Sequence, residues 1–440
     1  LIHLIYTRGY GEALHYDRAR LEQLYALTQR YPVVFLPSHK SNLDHLVLQY
    51  VLHENGHPPN HTAGGINMNF FPVGPLVRRS GVFFIRRTFK DNPVYKFVLR
   101  QYVDYLIEKR FSLEWYVEGG RSRSGKLLPP RLGLLAYVVD SFRRARAEDV
   151  YLIPVSIAYD QIQDVGDYVA ELRGAAKQKE SFGWFVKILR QLHSRFGNIH
   201  INFGEPVSLR EALGPPDPNA APNPDEQSVA LQKLSFEVAV RINRVTPITP
   251  TSLVTLALLG VGDRAMTLDE VIASLRGLLD YVKRRGLPTT DGPDGELSTR
   301  EGMARALDSL IASGVVSSFT GGPEAVYAIG PDQHLTAAYY RNTTIHFFVT
   351  GAIAELAVLR AAEGDVVDST QEFFAEAMRL RDLLKFEFFF PDKDAFRAEL
   401  SAELGVRVPD WADALAKGPA GALALARRIK PLLSHRVLRP

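Results

Sequence analysis

Three short stretches of this 440-residue chain gather residue types that can do chemistry. The first is HKSNLD, His39 to Asp44. In one straight helix a spacing of five places the two side chains about 140° apart, on different faces. A strand–loop–helix setting lets them converge instead. A histidine partnered by a carboxylate is a general base, because the Asp fixes the tautomer and stabilises the imidazolium. Ser41 to Asp44 also reads as a capping box, S-x-x-D. The two readings are compatible, since a cap can hold Asp44 in place for His39. The second stretch is GVFFIRR, Gly81 to Arg87, in which Arg86 and Arg87 emerge at the end of an apolar strand. Paired arginines there suit bidentate phosphate binding, or simply a solvated or salt-bridged surface. The third is VEGGRSRSGK, Val117 to Lys126. Its glycines allow close backbone approach to a ligand, and Arg121, Arg123 and Lys126 supply cationic donors, the composition of an anion site.

Other patterns fail on inspection. Gly120, Gly125 and Lys126 fit G-x-x-x-x-G-K, but Leu127 stands where a P-loop needs Ser or Thr, and Pro129 and Pro130 interrupt the helix that should follow. HENGH at 53–57 matches H-E-x-x-H, yet Gly56 and the prolines at 58 and 59 end the helix that must carry both histidines. No G-x-S-x-G occurs, so a serine nucleophile elbow has no support. Pro154 inside the strand-like LIPVSIAYD is unusual, because proline removes a ladder donor; a bulge at a pocket or an edge strand would explain it.

The elements that must position these residues alternate. Strand-like runs at Val33–Leu36, Val82–Ile85, Leu113–Val117, Val150–Ile157 and Phe196–Phe203 are separated by helical stretches, notably the run ending near Glu54, Pro93–Arg110 and Leu132–Ala147. This predicts an α/β catalytic domain, a central β-sheet flanked by helices, with a mostly helical C-terminal domain. The divisions expected are a helical segment over 1–30, the catalytic domain over 31–212, a linker loop and connecting helix over 213–250, and the helical domain over 251–440. Leu1 is not Met and no leader is visible, so an incomplete N-terminus is expected.

Composition narrows the field. The chain has no cysteine, which excludes disulfides, thiolate metal sites and a cysteine nucleophile. Its net charge of +3 is a sum over uneven parts: Arg78 to Arg131 alone carries +8. A basic segment on a near-neutral chain points to one anionic partner met at one place. No apolar run reaches 18 residues, so a spanning helix is not expected.

Taken in order, H-x4-D, G-x-x-F-I-R-R, E-G-x-R-S-R-x-G-K and the proline-bearing strand resemble the four blocks of the glycerolipid acyltransferases. Within them the chain is most similar to the bacterial membrane-associated glycerol-3-phosphate 1-O-acyltransferases, with further likeness in AGGINMNFFPVGPLVRRSGVFFIRRTF, VAELRGAAKQKES, INFGEPVSL and AAYYRNTTIHF. The resemblance implies that His39 deprotonates the primary hydroxyl of glycerol 3-phosphate while Asp44 orients the ring. The oxygen then attacks the thioester of acyl-CoA or acyl carrier protein, without an acyl-enzyme, cofactor or metal. It implies that Arg86, Arg87 and Arg121 bind the phosphate, that Glu118, Gly119, Gly120, Ser122 and Arg123 shape the pocket, and that Pro154 lines the acyl or donor site. Arg173, Lys177 and Lys179 are candidates for the donor's phosphates, or a solvated helix face. The implied location is peripheral or monotopic on the cytoplasmic face of the bacterial plasma membrane, with Asn69–Val73 beside Arg78 and Arg79 as an aromatic-basic contact, or ordinary core. Acylation of dihydroxyacetone phosphate or a lysophospholipid is the alternative. A winged-helix reading of 265–330 finds no basic cluster on its hairpin, so no nucleic-acid partner is expected.

Overall fold

The computed structural model describes residues 14–69, 71, 73–86, 91–176, 196–219, 223–262, 264–290, 295–430 and 432–437. They fall into two units, one within Leu1–Arg123 and Leu127–Thr246, the other of Ser124–Lys126 and Pro247–Pro440.

The first unit runs β1 (Leu14–Tyr16), α1 (Arg18–Thr28), β2 (Val33–Pro37), α2 (Asp44–Glu54), β3 (His61–Gly65), α3 (Val73–Arg79), β4 (Val82–Ile85) and α4 (Pro93–Glu108). It continues through β5 (Leu113–Glu114), α5 (Gly133–Arg143), β6 (Tyr151–Tyr159), α6 (Val165–Leu172), β7 (Ile199–Phe203), β8 (Val207–Ser208), α7 (Leu209–Leu213) and α8 (Pro224–Val245). One sheet holds all eight strands in the order β1-β7-β6-β2-β5-β3-β4, with β8 also pairing β6. Every pairing is parallel except β6 with β7 and with β8. Every residue of β2 is buried, as is most of β6, the near-continuous apolar pattern of strands covered on both faces.

Helix starts follow local chemistry. Asp17 caps α1, accepting from Arg20 N; Asn92 caps α4 and Asn223 caps α8, each before a proline in the first turn. The helical reading of 11–30 meets a strand at Leu14–Tyr16, where pairing to Ile199–Ile201 and stacking of His15 on His200 (4.9 Å) outweigh local periodicity. The run at Leu113–Val117 is a two-residue strand: Trp115 N still donates to Phe35 O (3.3 Å), and Tyr116 beyond it turns to stack on His39. Pro154 has a simple explanation. It faces the gap where the chain crosses from β7 to β8, and its carbonyl accepts from Gly204 N at 2.8 Å, so its missing N–H breaks no ladder bond there.

The second unit is mostly helical, with a three-stranded antiparallel sheet in the order β10 (Val316–Phe319), β11 (Val326–Ile329), β9 (Met266–Thr267). The two helices and hairpin read at 267–329 are present, and β9 adds the strand that completes a winged-helix order. Its last helix, Arg300–Ala312, exposes Arg300, Glu301, Arg305 and Asp308, charges of both signs. The apolar helix Val349–Ala361 is a core helix. Its Glu355 is fully buried, accepting from Arg407 Nη1 and from the backbone N–H groups of Leu432, Leu433 and Ser434. Among the described residues no helix is long and apolar enough to cross a membrane.

Candidate active site

The site grows from the C-terminal end of β2. Ser38 prolongs the strand, its N–H donating to Val155 O (2.9 Å) and its Oγ accepting from Ile157 N (3.0 Å). The chain then turns through His39–Leu43, and Asp44 opens α2. His39 Nδ1 lies 2.9 Å from Asp44 Oδ2. The same oxygen accepts from Lys40 N (2.7 Å) and Ser41 N (2.9 Å), and Oδ1 accepts from Tyr159 OH (2.6 Å). Asp44 is wholly buried, whereas a fifth of the His39 side chain is exposed. Because a carboxylate held by so many donors is an acceptor only, Nδ1 carries the proton and Nε2 is the basic nitrogen. The capping-box reading of this loop fails: Leu43 is the N-cap residue of α2 with no side-chain cap bond, and although Asp44 accepts from Ser41 N, Ser41 Oγ turns away to Asp164 (2.7 Å).

Glu118, in the loop after β5, is buried and clamps backbone. It accepts from His39 N at 2.6 Å and from Leu128 N at 2.9 Å. Burial raises its pKa, opposed by the charge of Lys40 and by those two N–H groups. Lys40, also buried, has its pKa lowered by desolvation, opposed by Glu118 and Asp44. Gly119 takes φ +68°, and a Cβ there would meet Arg131 Cγ at 2.7 Å, so this turn needs glycine. Gly120 faces open space. Ser122 is fully buried, and its N–H donates to His39 O (3.0 Å). Arg123 Nε pairs Glu171 Oε2 (2.8 Å), its Nη1 donates to Arg121 O (2.7 Å), and its guanidinium covers the Tyr168 ring at 4.8 Å. Arg121 lies 3.8 Å from Asp164 and 5.7 Å from the same ring.

Thus His39, Asp44, Glu118, Arg121, Ser122 and Arg123 come together through direct contacts or one shared partner. Arg86 stands at the end of β4, exposed, its N–H donating to Tyr95 OH (3.1 Å) and its guanidinium over the Tyr95 ring; no contact among the described residues links it to His39. Arg87, Lys177 and Lys179 lie outside the described residues, and Arg173 ends α6. Pro154 is buried within β6 opposite Leu36. The second histidine of HENGH follows the end of α2 at Glu54, beyond Gly56 at φ +75°.

Sequence reasoning missed four residues. Tyr116 stacks on His39 with ring centroids 4.0 Å apart; its buried hydroxyl has no hydrogen-bond partner among the described residues, and burial pushes its pKa well up. Tyr159 holds Asp44, Tyr168 OH donates to Lys40 O (2.8 Å), and Asp164 binds Ser41 and Asn42. More than a hundred residues separate the last three from their partners, so no local spacing could reveal them.

Residues 18–158 match the family described as acyltransferase, and residues 168–440 that described as the glycerol-3-phosphate acyltransferase C-terminal region. The protein named acyltransferase plsB1 in Mycobacterium tuberculosis and Mycobacterium bovis is 41% identical over 431 residues, covering 96% of this chain and 68% of its own. The chain belongs to the glycerol-3-phosphate acyltransferase family. A glycerol-3-phosphate acyltransferase of Aeromonas hydrophila is 36% identical over 81% of this chain and 44% of its own length. The solved 1-acyl-sn-glycerophosphate acyltransferase PlsC of Thermotoga maritima superposes with a TM-score of 0.27 at 14% identity, over 48% of this chain and 65% of that one, too loosely to inform the site. The chain is accordingly an acyltransferase, with the α/β domain and helical part that its sequence predicts.

Proposed function

We propose that this acyltransferase moves a fatty acyl group from acyl-CoA or acyl carrier protein to the sn-1 hydroxyl of glycerol 3-phosphate, giving lysophosphatidic acid. The observation that carries the mechanism is His39 Nδ1 at 2.9 Å from buried Asp44. With Nδ1 committed to Asp44, Nε2 takes the hydroxyl proton as the oxygen attacks the thioester carbonyl. The tetrahedral adduct collapses by breaking the C–S bond, and the imidazolium returns the proton to the departing thiolate. Each proton transfer by such a base is worth about 10²–10⁴ in rate. Arg121, with Arg123 beside it, holds the phosphate, and Arg86 and Arg87 add charge from β4. The Gly119 N–H is held by Tyr116 O in the turn, which leaves the Gly120 N–H as the donor for the developing oxyanion.

Peripheral attachment to the cytoplasmic face of the plasma membrane is supported by α4. Val94, Phe97, Val98 and Tyr105 are each at least half exposed and recur on one helical face, with Lys96, Lys109 and Arg110 also exposed nearby. Phe71 is 85% exposed, and Arg78 and Arg79 a few residues further along the chain are exposed too; Phe70 lies outside the described residues.

The test is radiolabelled glycerol 3-phosphate incubated separately with acyl-CoA and acyl carrier protein thioesters. Labelled lysophosphatidic acid is expected. Turnover only with dihydroxyacetone phosphate or a lysophospholipid as acceptor would overturn the assignment of acceptor.

A further inference from the structure

Asp164 has no role in the chemistry just described, yet it touches both halves of the site. It is the residue before α6. Its carboxylate accepts from Ser41 Oγ (2.7 Å), Asn42 Nδ2 (2.7 Å) and Asn42 N (3.3 Å), all in the loop that carries His39. Arg121 Nη1 stands 3.8 Å from Oδ1, the oxygen that also accepts from Asn42 Nδ2, an ion pair rather than a hydrogen bond. Both side chains are nearly closed to solvent, Asp164 at 6% exposure and Arg121 at 11%. A carboxylate is tolerated that deep only where several donors and a cation compensate its lost hydration.

We propose that Asp164 is a positioning residue that fixes the distance between the general base and the phosphate anchor, and so selects acceptors by the number of carbons between hydroxyl and phosphate. This rests on the reading of His39 as base and Arg121 as phosphate ligand. In glycerol 3-phosphate the reacting hydroxyl and the phosphate ester end a three-carbon chain. A base and a guanidinium discriminate that span from shorter and longer ones only if neither can drift. Both stand in loops: residues 38–43 lie between β2 and α2, and Arg121 follows the Gly119–Gly120 turn. One buried carboxylate serves both loops, by hydrogen bonds to Ser41 and Asn42 and by charge to Arg121, and a misplacement of about 1 Å can cost 10²-fold in rate.

The experiment compares the full chain with its Asp164→Asn variant on 2-hydroxyethyl, 3-hydroxypropyl and 4-hydroxybutyl phosphate and on glycerol, with acyl-CoA as donor. Asn keeps the size but replaces one acceptor oxygen with a donor and removes the charge facing Arg121. The unaltered protein is expected to favour the three-carbon phosphate. The variant is expected to lose about 10–100-fold in kcat/KM on it, the size of a hydrogen bond to a charged group, and far less on the others, so that the preference flattens. If Asp164→Asn does not fold, Ser41→Ala with Asn42→Ala removes the two side-chain contacts from the loop side, leaving only the Asn42 N–H, and should flatten the profile likewise. An unchanged chain-length profile, or an equal loss on all three phosphates, would overturn the proposal. An unaltered protein that acylates glycerol as well as the phosphates would fail the phosphate reading itself. One that requires the phosphate but ignores chain length would overturn the spacing role alone.

Discussion

At the scale of single residues, the site rests on one imidazole held from two sides, by Asp44 through Nδ1 and by the Tyr116 ring stacked at 4.0 Å. His39→Ala should lower kcat by about 10²–10⁴ while glycerol 3-phosphate still binds, because Arg121 contacts do not pass through the imidazole; calorimetric titration beside steady-state assays checks both halves. Tyr116 separates ring from hydroxyl. Its Oη is buried without a partner among the described residues, a state that costs about 1–3 kcal/mol. Tyr116→Phe should therefore raise urea stability by about 1 kcal/mol and leave turnover unchanged. Tyr116→Leu, which keeps an apolar side chain but loses the stacked face, should lower kcat with little change in KM. If the Phe variant lost activity as the Leu variant does, the hydroxyl would have a chemical role.

At the scale of elements, legibility followed how far each element's cause reaches along the chain. Val33–Leu36 and Val82–Ile85 were readable because an apolar β-branched or aromatic run is its own signal. His61–Gly65 was not: HTAGG has neither alternation nor β propensity, and it is a strand because β4 and β5 pair with it on both sides. The site divides likewise. His39 with Asp44 was legible as a local spacing, whereas Asp164, Tyr159 and Tyr168 reach it only through the course of β6 and α6. The face of α4 was also invisible in composition, since Val94, Phe97 and Val98 look like core residues until the helix is placed with that side outward. Burying such side chains is worth about 1.5–3 kcal/mol each. Phe97→Asp with Val98→Asp should thus weaken binding to vesicles containing anionic lipid by at least about tenfold, leaving acceptor affinity in detergent unchanged. Equal flotation of the variant and the unaltered protein would remove α4 as the contact.

At the scale of the whole molecule, the net charge of +3 conceals groups whose titration couples folding to pH. His57 and His61 flank the connection from α2 to β3, His57 edge-on to Tyr25 at 4.6 Å and His61 beside Phe111 at 4.7 Å. Desolvation lowers both pKa values from 6.5. As pH falls through 6.5, these imidazoles take up protons in the unfolded chain before they do so in the folded one. Unfolding then binds protons, so stability is full above 6.5, declines below it, and levels off once the lowered folded-state values are passed. Buried Glu118 and Asp164 act with the opposite sign, because desolvation raises their pKa values from 4.5 and 3.8. Their ionisation in the unfolded chain lowers stability as pH rises from those ordinary values toward the raised ones. The two classes are separable by substitution. His57→Phe with His61→Phe keeps aromatic contacts to Tyr25 and Phe111 and removes two titrating groups. Urea midpoints measured from about pH 8 to about 5.5 should fall on acidification in the unaltered protein and fall distinctly less in the double variant. Parallel pH profiles would show that protons enter elsewhere, and that the neutral imidazoles between α2 and β3 do not limit acid stability.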